Sequence, residues 1–291
     1  MTDRSIFVAP RASLVVDGAW LANDVIIETN FGQDIATESL SDSASADEES
    51  WTDRVLNALI DEVNFQEVSH KGGLVPRLMA IQGILKDGKQ PLYRHPLDYD
   101  PPLQPFTPIV TAIRRALVTR LRREGFDIDE DGDFNHALLQ FYRSGHDYIS
   151  EHADKTIDIK QGSYIVNFSL GAMRTLVLRE KDKIKGVSRE AVHVPLRSCS
   201  AFILGLDANR THVHEIKRDK RRDAEKGEDE RKCGGRRLSI TFRTIATFLD
   251  EKDGSLTGQG ALLQDRLKLL EAYRLENQTA LGWNELYNSV V

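Results

Sequence analysis

Ser150-Glu151-His152-Ala153-Asp154 is the stretch from which the fold can be read. On an extended backbone, side chains two residues apart point to the same side. His152 and Asp154 therefore converge on one point. A neutral imidazole and a carboxylate placed so are part of a 2-His-1-carboxylate metal site, which keeps coordination positions open for chemistry. A lone His-x-Asp is a common chance match, so its weight comes from the rest of the chain.

A second histidine has to return to the same point. Thr211-His212-Val213-His214 offers one, and alternation puts both of its histidines on a single strand face, so spacing does not separate them. His193, in the apolar run Val192–Val194, reads as structural. Arg237 and Arg243 bracket Leu238-Ser239-Ile240-Thr241-Phe242. Strand alternation puts the two arginines, Ser239 and Thr241 on one face, and Leu238, Ile240 and Phe242 on the other. An inward face with two cations needs anions, because unpaired buried charge is costly. A dicarboxylate such as 2-oxoglutarate meets that need, since guanidinium grips a carboxylate through two parallel hydrogen bonds. Gln140 and Tyr142, on one face of an earlier strand, could add hydrogen bonds.

In this order the chain resembles the AlkB-type family of Fe(II)/2-oxoglutarate dioxygenases. The resemblance covers roughly residues 51–250. It runs from Val75-Pro76-Arg77 through Phe134-Asn135-His136, Gln140-Phe141-Tyr142-Arg143-Ser144-Gly145 and Ile149 to Asp154. It continues through Gly162-Ser163 and Asn167 to Arg174, and closes on Arg237 to Arg243. It implies an α+β, mainly β fold: a double-stranded β-helix, or jelly-roll, core with flanking helices. It implies that His152, Asp154 and His214 hold Fe(II) and that Arg237 pairs with the distal carboxylate of 2-oxoglutarate. Arg243 would stand near the carboxylate at the iron end, with Tyr142 and Gln140 assisting. Fe(II), 2-oxoglutarate and O2 would together oxidise an unactivated C–H bond, releasing succinate and CO2.

The composition agrees with a soluble enzyme. Of 291 residues, 40% are hydrophobic and 29% charged, and the net charge is −6. No stretch approaches the apolar length that spans a membrane, and Met1 to Pro10 does not read as a secretory signal. Cys199 and Cys233 offer neither a disulfide framework nor a CxxC pattern. An intracellular location, cytoplasmic or nuclear, is expected.

Residues 1–50 read as an N-terminal extension, with a hairpin of Leu14–Val16 and Val25–Ile27 around Asp17-Gly18 and a Ser/Asp/Glu-rich linker over 39–50. A dioxygenase domain follows over 51–250. It opens on a helix after Ser50, with Trp51, Val55, Leu59 and Val63 as its stripe and Ser50/Asp53 resembling a capping box. Gly72 to Gly83 reads as a strand with turns or as a substrate-covering loop. Thr107 caps a helix whose first residue is Pro108; its arginines 114, 115, 120, 122 and 123 read as a solvated surface. Strands are expected over 137–142, 164–170, 175–178, 192–196, 200–204 and 238–243. The charged insertion 217–235 reads as a solvated loop or helix. Residues 251–291 form a helical extension packed on the same domain, with Leu263, Leu267, Leu270 and Tyr273 on one side.

Departures from the family pattern bear on the substrate. Family members that act on N-methylated bases commonly carry an acid two positions after the metal Asp; here that position is Thr156. An aromatic residue expected before Gly83 is Gln82. The segment 64–74 shows no apolar wedge for opening a duplex, and a base-flipping enzyme needs stacking surfaces and edge contacts. An acidic chain suits phosphate backbones poorly. A small molecule, such as an amino acid or a secondary-metabolite precursor, is therefore the favoured substrate. Arg77, Arg174 and Thr156 are the substrate-side candidates, although either arginine could equally be structural. Demethylation of N-methylated nucleic-acid bases is the alternative. No membrane partner is expected, and the sequence leaves the oligomeric state open.

Overall fold

The computed structural model describes residues 14–16, 19–21, 25–29, 48–128, 134–181 and 189–288. Three short strands come first: β1 (Leu14–Val16), β2 (Ala19–Leu21) and β3 (Val25–Thr29). A helix, Glu48–Glu62, leads to β4 (Gln66–His70), β5 (Gly73–Gly83), β6 (Lys89–Pro91) and β7 (Leu103–Pro105). The helix Pro108–Arg123 precedes β8 (His136–Tyr142), β9 (Ile149–His152), β10 (Tyr164–Gly171), β11 (Arg174–Glu180), β12 (Ala191–Leu196) and β13 (Ser200–Gly205). The short helix Leu206–Thr211 leads into β14 (His212–Ile216), and β15 (Arg237–Arg243), β16 (Thr247–Asp250) and β17 (Leu256–Gly258) follow. The helices Arg266–Gln278 and Trp283–Tyr287 close the described chain.

The eight strands from β8 to β15 are shared between two antiparallel sheets. β13-β10-β15-β8 forms the centre of the larger sheet, and β12-β11-β14-β9 forms the smaller one. This exchange of strands between two facing sheets is the jelly-roll arrangement. β5, β4 and β7 extend the larger sheet beyond β8, and β3 extends it beyond β13.

Every residue of β8 and β15 is buried, because the larger sheet is covered on both faces. On one face Leu238, Ile240 and Phe242 join a core with Leu56 and Leu59 of the first helix and Val110, Ile113 and Leu117 of the second. That second helix forms as its sequence indicates: Thr107 Oγ1 accepts from the Val110 amide, Pro108 stands in the first turn, and the buried stripe repeats at helical spacing. On the other face Tyr142, Ile165, Phe202 and Leu204 meet Leu176, Leu178, Leu196 and Ile216 of the smaller sheet. The functional cavity opens between the two sheets.

The structure corrects several boundaries. β1 pairs with β2, and Val25–Thr29 instead joins the edge of the larger sheet against β13. A strand so close in sequence closes a tight hairpin at lower entropic cost. The first helix begins at Glu48, so Ser50 lies inside it and does not cap it. The linker expected over 39–50 otherwise lies outside the described residues. Gly73–Gly83 is one long strand paired with β4 and β8. The C-terminal helix starts after Asp265, whose side chain caps the Lys268 amide. Its buried residues are Leu269, Ala272, Tyr273 and Glu276, while Leu267 and Leu270 are exposed. The buried face contains an acid because the surface it covers contains Lys155. The 217–235 segment folds as short helical turns laced by ion pairs, among them Arg221 with Asp219 and Glu230 and Lys232 with Asp229.

Candidate active site

The two strands that carry the expected ligands are paired. His214 of β14 stands opposite His152 of β9, and their ring centroids are 4.3 Å apart. One ligand atom each from His152, Asp154 and His214 lies within 4.8 Å of the others, a spacing that could hold a single metal ion. Register separates the two histidines that spacing left equivalent. His212 lies one pleat away, opposite Glu180, with its Nδ1 bonded to Thr211 Oγ1. His193 is exposed on β12.

The surroundings prepare these groups for a cation. His152 Nδ1–H donates to the Ser150 carbonyl at 2.8 Å, which leaves the Nε2 lone pair free for a metal. Burial, with His214 alongside, pushes the His152 imidazole down to about 3, and burial likewise lowers His214. Both rings are therefore neutral. Burial favours the neutral form of Asp154, but the charge and hydrogen bond of Arg243 oppose it and hold the carboxyl below the usual range. Arg243 Nη2 donates to Asp154 Oδ2 at 2.8 Å, and its guanidinium lies 4.2 Å from the Tyr93 ring centre. The main chain of the ligand segment is fixed as well. Asn209 exchanges two hydrogen bonds with the backbone of Asp154, and Asn277 Oδ1 accepts from the Ala153 amide.

Arg237 is wholly buried, and burial lowers its pKa to about 10. Its Nη2 donates to Ser169 Oγ at 2.8 Å, and its guanidinium carbon is 5.2 Å from the Tyr142 ring centre. Its Nε and Nη1 have no partner among the described residues. A buried cation with two unanswered donors suits a carboxylate, the group that 2-oxoglutarate would bring. Nearby, Asn167 donates to Ser239 and Thr241, which orders the polar face of β15.

A cavity of about 420 Å³ is lined by the three ligand candidates, Arg243 and Tyr142, while Arg237 lies behind Tyr142, off its wall. Its walls also include Asn167, Val75, Arg77, Tyr93, His95 and Leu97. Tyr93 and His95 stack with centroids 5.2 Å apart and planes at 23°. The Tyr93 ring also lies under the Arg243 guanidinium, whose carbon is 4.2 Å from the ring centre. Gln82 is fully buried and accepts from the Thr107 amide. The β4–β5 hairpin, read as lacking an apolar tip, presents Leu74 at the cavity mouth with 71% of its surface exposed.

The substrate-side candidates divide. Arg77 lines the cavity, but with the Gln140 amide oxygen turned toward it, Gln140 accepts from its Nε at 2.9 Å and its Nη2 at 3.2 Å. Gln140 thus serves Arg77 where it was expected to serve the keto acid. Arg174 lies off the cavity wall; its guanidinium binds the Asp147 and Lys217 carbonyls and ties the neighbouring loops together. Thr156 points away into the C-terminal helix, where it donates to Glu276. Arg243, expected near a carboxylate of 2-oxoglutarate, has Asp154 as its carboxylate partner. Tyr93, His95, Lys155 and Asn277 went unread, and only the apolar-aromatic character of Tyr93 was a signal for any of them.

A family model described as the 2OG-Fe(II) oxygenase superfamily matches residues 41–243. The chain belongs to this superfamily. It is an Fe(II)- and 2-oxoglutarate-dependent dioxygenase of AlkB type, and the donor sets above fit its cofactors. Over 115 residues it is 32% identical to the DNA oxidative demethylase ALKBH2 of Homo sapiens, covering 38% of this chain and 40% of the relative. The Mus musculus protein of the same name is 30% identical over 115 residues, covering 38% of this chain and 44% of the relative. The match thus spans about two fifths of the length of these relatives. Two solved structures are also similar. OsALKBH1 is 18% identical at a TM-score of 0.42, covering 76% of this chain and 96% of that one. A prolyl hydroxylase from Trichoplax adhaerens, in complex with a hypoxia-inducible-factor peptide, is 14% identical at a TM-score of 0.45, covering 83% and 87%. No helix among the described residues is long and apolar enough to cross a membrane.

Proposed function

We propose that this dioxygenase removes a methyl group from a ring nitrogen of a nucleic-acid base, the activity that the sequence alone ranked second. The observation that carries this reading is the similarity to DNA oxidative demethylases. The cavity supports it: the aromatic rings of Tyr93 and His95 line it near the ligand candidates, the kind of side chain an extruded base packs against. Leu74 at the mouth supplies an exposed apolar contact next to it.

In this reading His152, Asp154 and His214 hold Fe(II), and Arg237 anchors the distal carboxylate of 2-oxoglutarate with Tyr142 and Ser169 beside it. When bound, Fe(II) and 2-oxoglutarate would supply the oxidation of the N-methyl carbon by O2, with release of succinate and CO2. The resulting N-hydroxymethyl compound breaks its N–C bond, so that formaldehyde leaves and the nitrogen regains a proton. Arg243 keeps the Asp154 carboxylate ionised and oriented. Tyr93 and His95 orient the base, and the apolar walls exclude water.

The test is turnover with Fe(II), 2-oxoglutarate and either N-methylated oligonucleotides or an amino-acid library. Formaldehyde and succinate in equal amounts from an oligonucleotide, with binding that weakens as salt rises, is the expected result. Succinate stimulated only by a small molecule would replace this reading with the small-molecule one, which the net charge of −6 favours.

A further inference from the structure

Asn277 belongs to the helix Arg266–Gln278, which lies beyond the residues matched by the family model, yet it lines the active-site cavity. Its Oδ1 accepts from the Ala153 amide at 2.9 Å and from Lys155 Nζ at 2.6 Å. Both partners are donors, so the orientation of the amide is fixed by chemistry. Its NH2 group must then point away from them, and among the described residues it has no recorded partner. A rigid N–H donor thus stands beside the metal-ligand segment.

The charges of the wall point the same way. Arg77, Lys155 and Arg243 line the cavity, against two carboxylates, Asp154 and Glu151. Asp154 is held by Arg243. Glu151 is held by Arg189 at 2.9 Å through both oxygens, and by Arg179 at 3.4 Å. The remaining acid of this region, Glu276, is buried and engaged by Thr156, Tyr287 and Lys155. Among the described residues, no carboxylate of the cavity wall is left to receive a cation or an exocyclic amino group.

We infer that the enzyme selects neutral keto bases, such as 3-methyluracil, 3-methylthymine and 1-methylguanine, through a hydrogen bond from Asn277 to a carbonyl oxygen beside the methylated nitrogen. The inference rests on the demethylase reading. It gives the Thr156 departure a meaning: a wall with a donor in place of an acid is complementary to a carbonyl edge. It mismatches 1-methyladenine and 3-methylcytosine, which are cationic and carry amino groups. A donor facing a donor leaves buried polar groups unpaired, and that costs about 10-fold or more in discrimination.

The experiment measures formaldehyde release from otherwise identical oligonucleotides carrying 3-methylthymine, 1-methylguanine, 1-methyladenine or 3-methylcytosine. Wild type should favour the two keto bases by about 10-fold or more in kcat/KM. Asn277→Asp keeps the acceptor for Ala153 and Lys155 but replaces the donor with an acceptor, so the keto-to-cationic ratio should fall about 10-fold. A wild-type preference for the cationic bases, or an unchanged ratio in Asn277→Asp, overturns the inference and leaves demethylation standing. The wild-type comparison needs no variant and is decisive even if Asn277→Asp folds poorly. No formaldehyde from any of the four bases overturns both readings together.

Discussion

Arg243 and Asp154 form a buried ion pair, 2.8 Å from Nη2 to Oδ2, with the two side chains 2% and 10% exposed. A metal-ligand candidate and a strand cation 89 residues apart in sequence are thus a single electrostatic unit. The other arginine of the same strand, Arg237, is bonded to Ser169 and Asn167 and, among the described residues, to no carboxylate. The two cations therefore have separable tasks.

Arg243→Ala should weaken divalent-metal binding by about 10- to 100-fold, the usual effect of removing a partner that orients a metal ligand. The KM for 2-oxoglutarate at saturating metal should change much less. Titration with Co(II), followed by its visible spectrum, reads the first quantity directly. Unchanged Co(II) affinity would refute the positioning role of Arg243.

Arg237→Ala should show the opposite pattern. Loss of a buried hydrogen-bonded charge partner costs about 2–5 kcal/mol, so the 2-oxoglutarate KM should rise by roughly 30-fold or more. Co(II) affinity should hold. Equal 2-oxoglutarate KM values in variant and wild type would remove Arg237 from the co-substrate site.

His152→Ala and Asp154→Ala should each abolish coupled succinate formation, because each removes a metal-ligand candidate; His152→Ala should leave the fold stable, whereas Asp154→Ala should also cost about 3–5 kcal/mol by leaving buried Arg243 unpaired. Circular dichroism checks the fold, and succinate assay checks the activity. Full activity in either variant would contradict the assignment of the metal site.

Stability should fall with acid in a defined window. His95, His136, His152, His212 and His214 are all held below the ordinary value of 6.5, burial being the largest cause in each. Below about pH 6.5 the unfolded chain takes up protons that the folded protein refuses, so stability is complete above that pH and is lost as pH falls. Each strongly shifted histidine contributes about 1.4 kcal/mol per pH unit in this window. Melting temperatures in metal-free buffer should be level above about pH 7 and decline steadily below 6.5. A level profile down to pH 5, well inside about one to two units of the reference value, would show that these rings are not buried in neutral form.

Gly260→Ala should destabilise the protein sharply. Arg94 and Asp158 form a buried pair at 2.7 Å, and Arg94 also donates to the carbonyls of Gly260 and Leu263, joining the C-terminal segment to the core. A methyl group at position 260 would collide with Arg94 Nη2 and lie 2.6 Å from Asp158 Oδ1. Disrupting a buried pair costs about 3–5 kcal/mol, which thermal melting would register as a large drop. A wild-type melting temperature would show that the pair can shift without loss.

The six strands expected after residue 136 all form, because each has apolar or branched residues at period two that only a two-sided sheet can bury. β9 and β14 escaped that reading. Ile149–His152 and His212–Ile216 are short and rich in polar residues, since their inward positions serve the site as much as the core. The stripe assigned to the last helix failed for a related reason. Helical periodicity cannot reveal that Glu276, buried against Lys155 and Thr156, lies on the packed face, while Leu267 and Leu270 meet solvent.

By itself, then, the sequence determined the chemistry that depends on local periodicity: His152 and Asp154 two residues apart on one extended segment, Arg237 and Arg243 on one strand face, and the apolar side behind those arginines. Tertiary structure decided what depends on pairing across the chain. Strand register chose His214 over His212, because His214 is the residue opposite His152. Charge pairing gave Arg243 to Asp154 and left Arg237 bonded to neutral partners such as Ser169. Packing of the C-terminal helix brought Asn277 to the cavity, turned Thr156 away from it, and so set the polarity of the wall that a substrate meets. Such contacts join residues more than a hundred positions apart, and no sequence period encodes them.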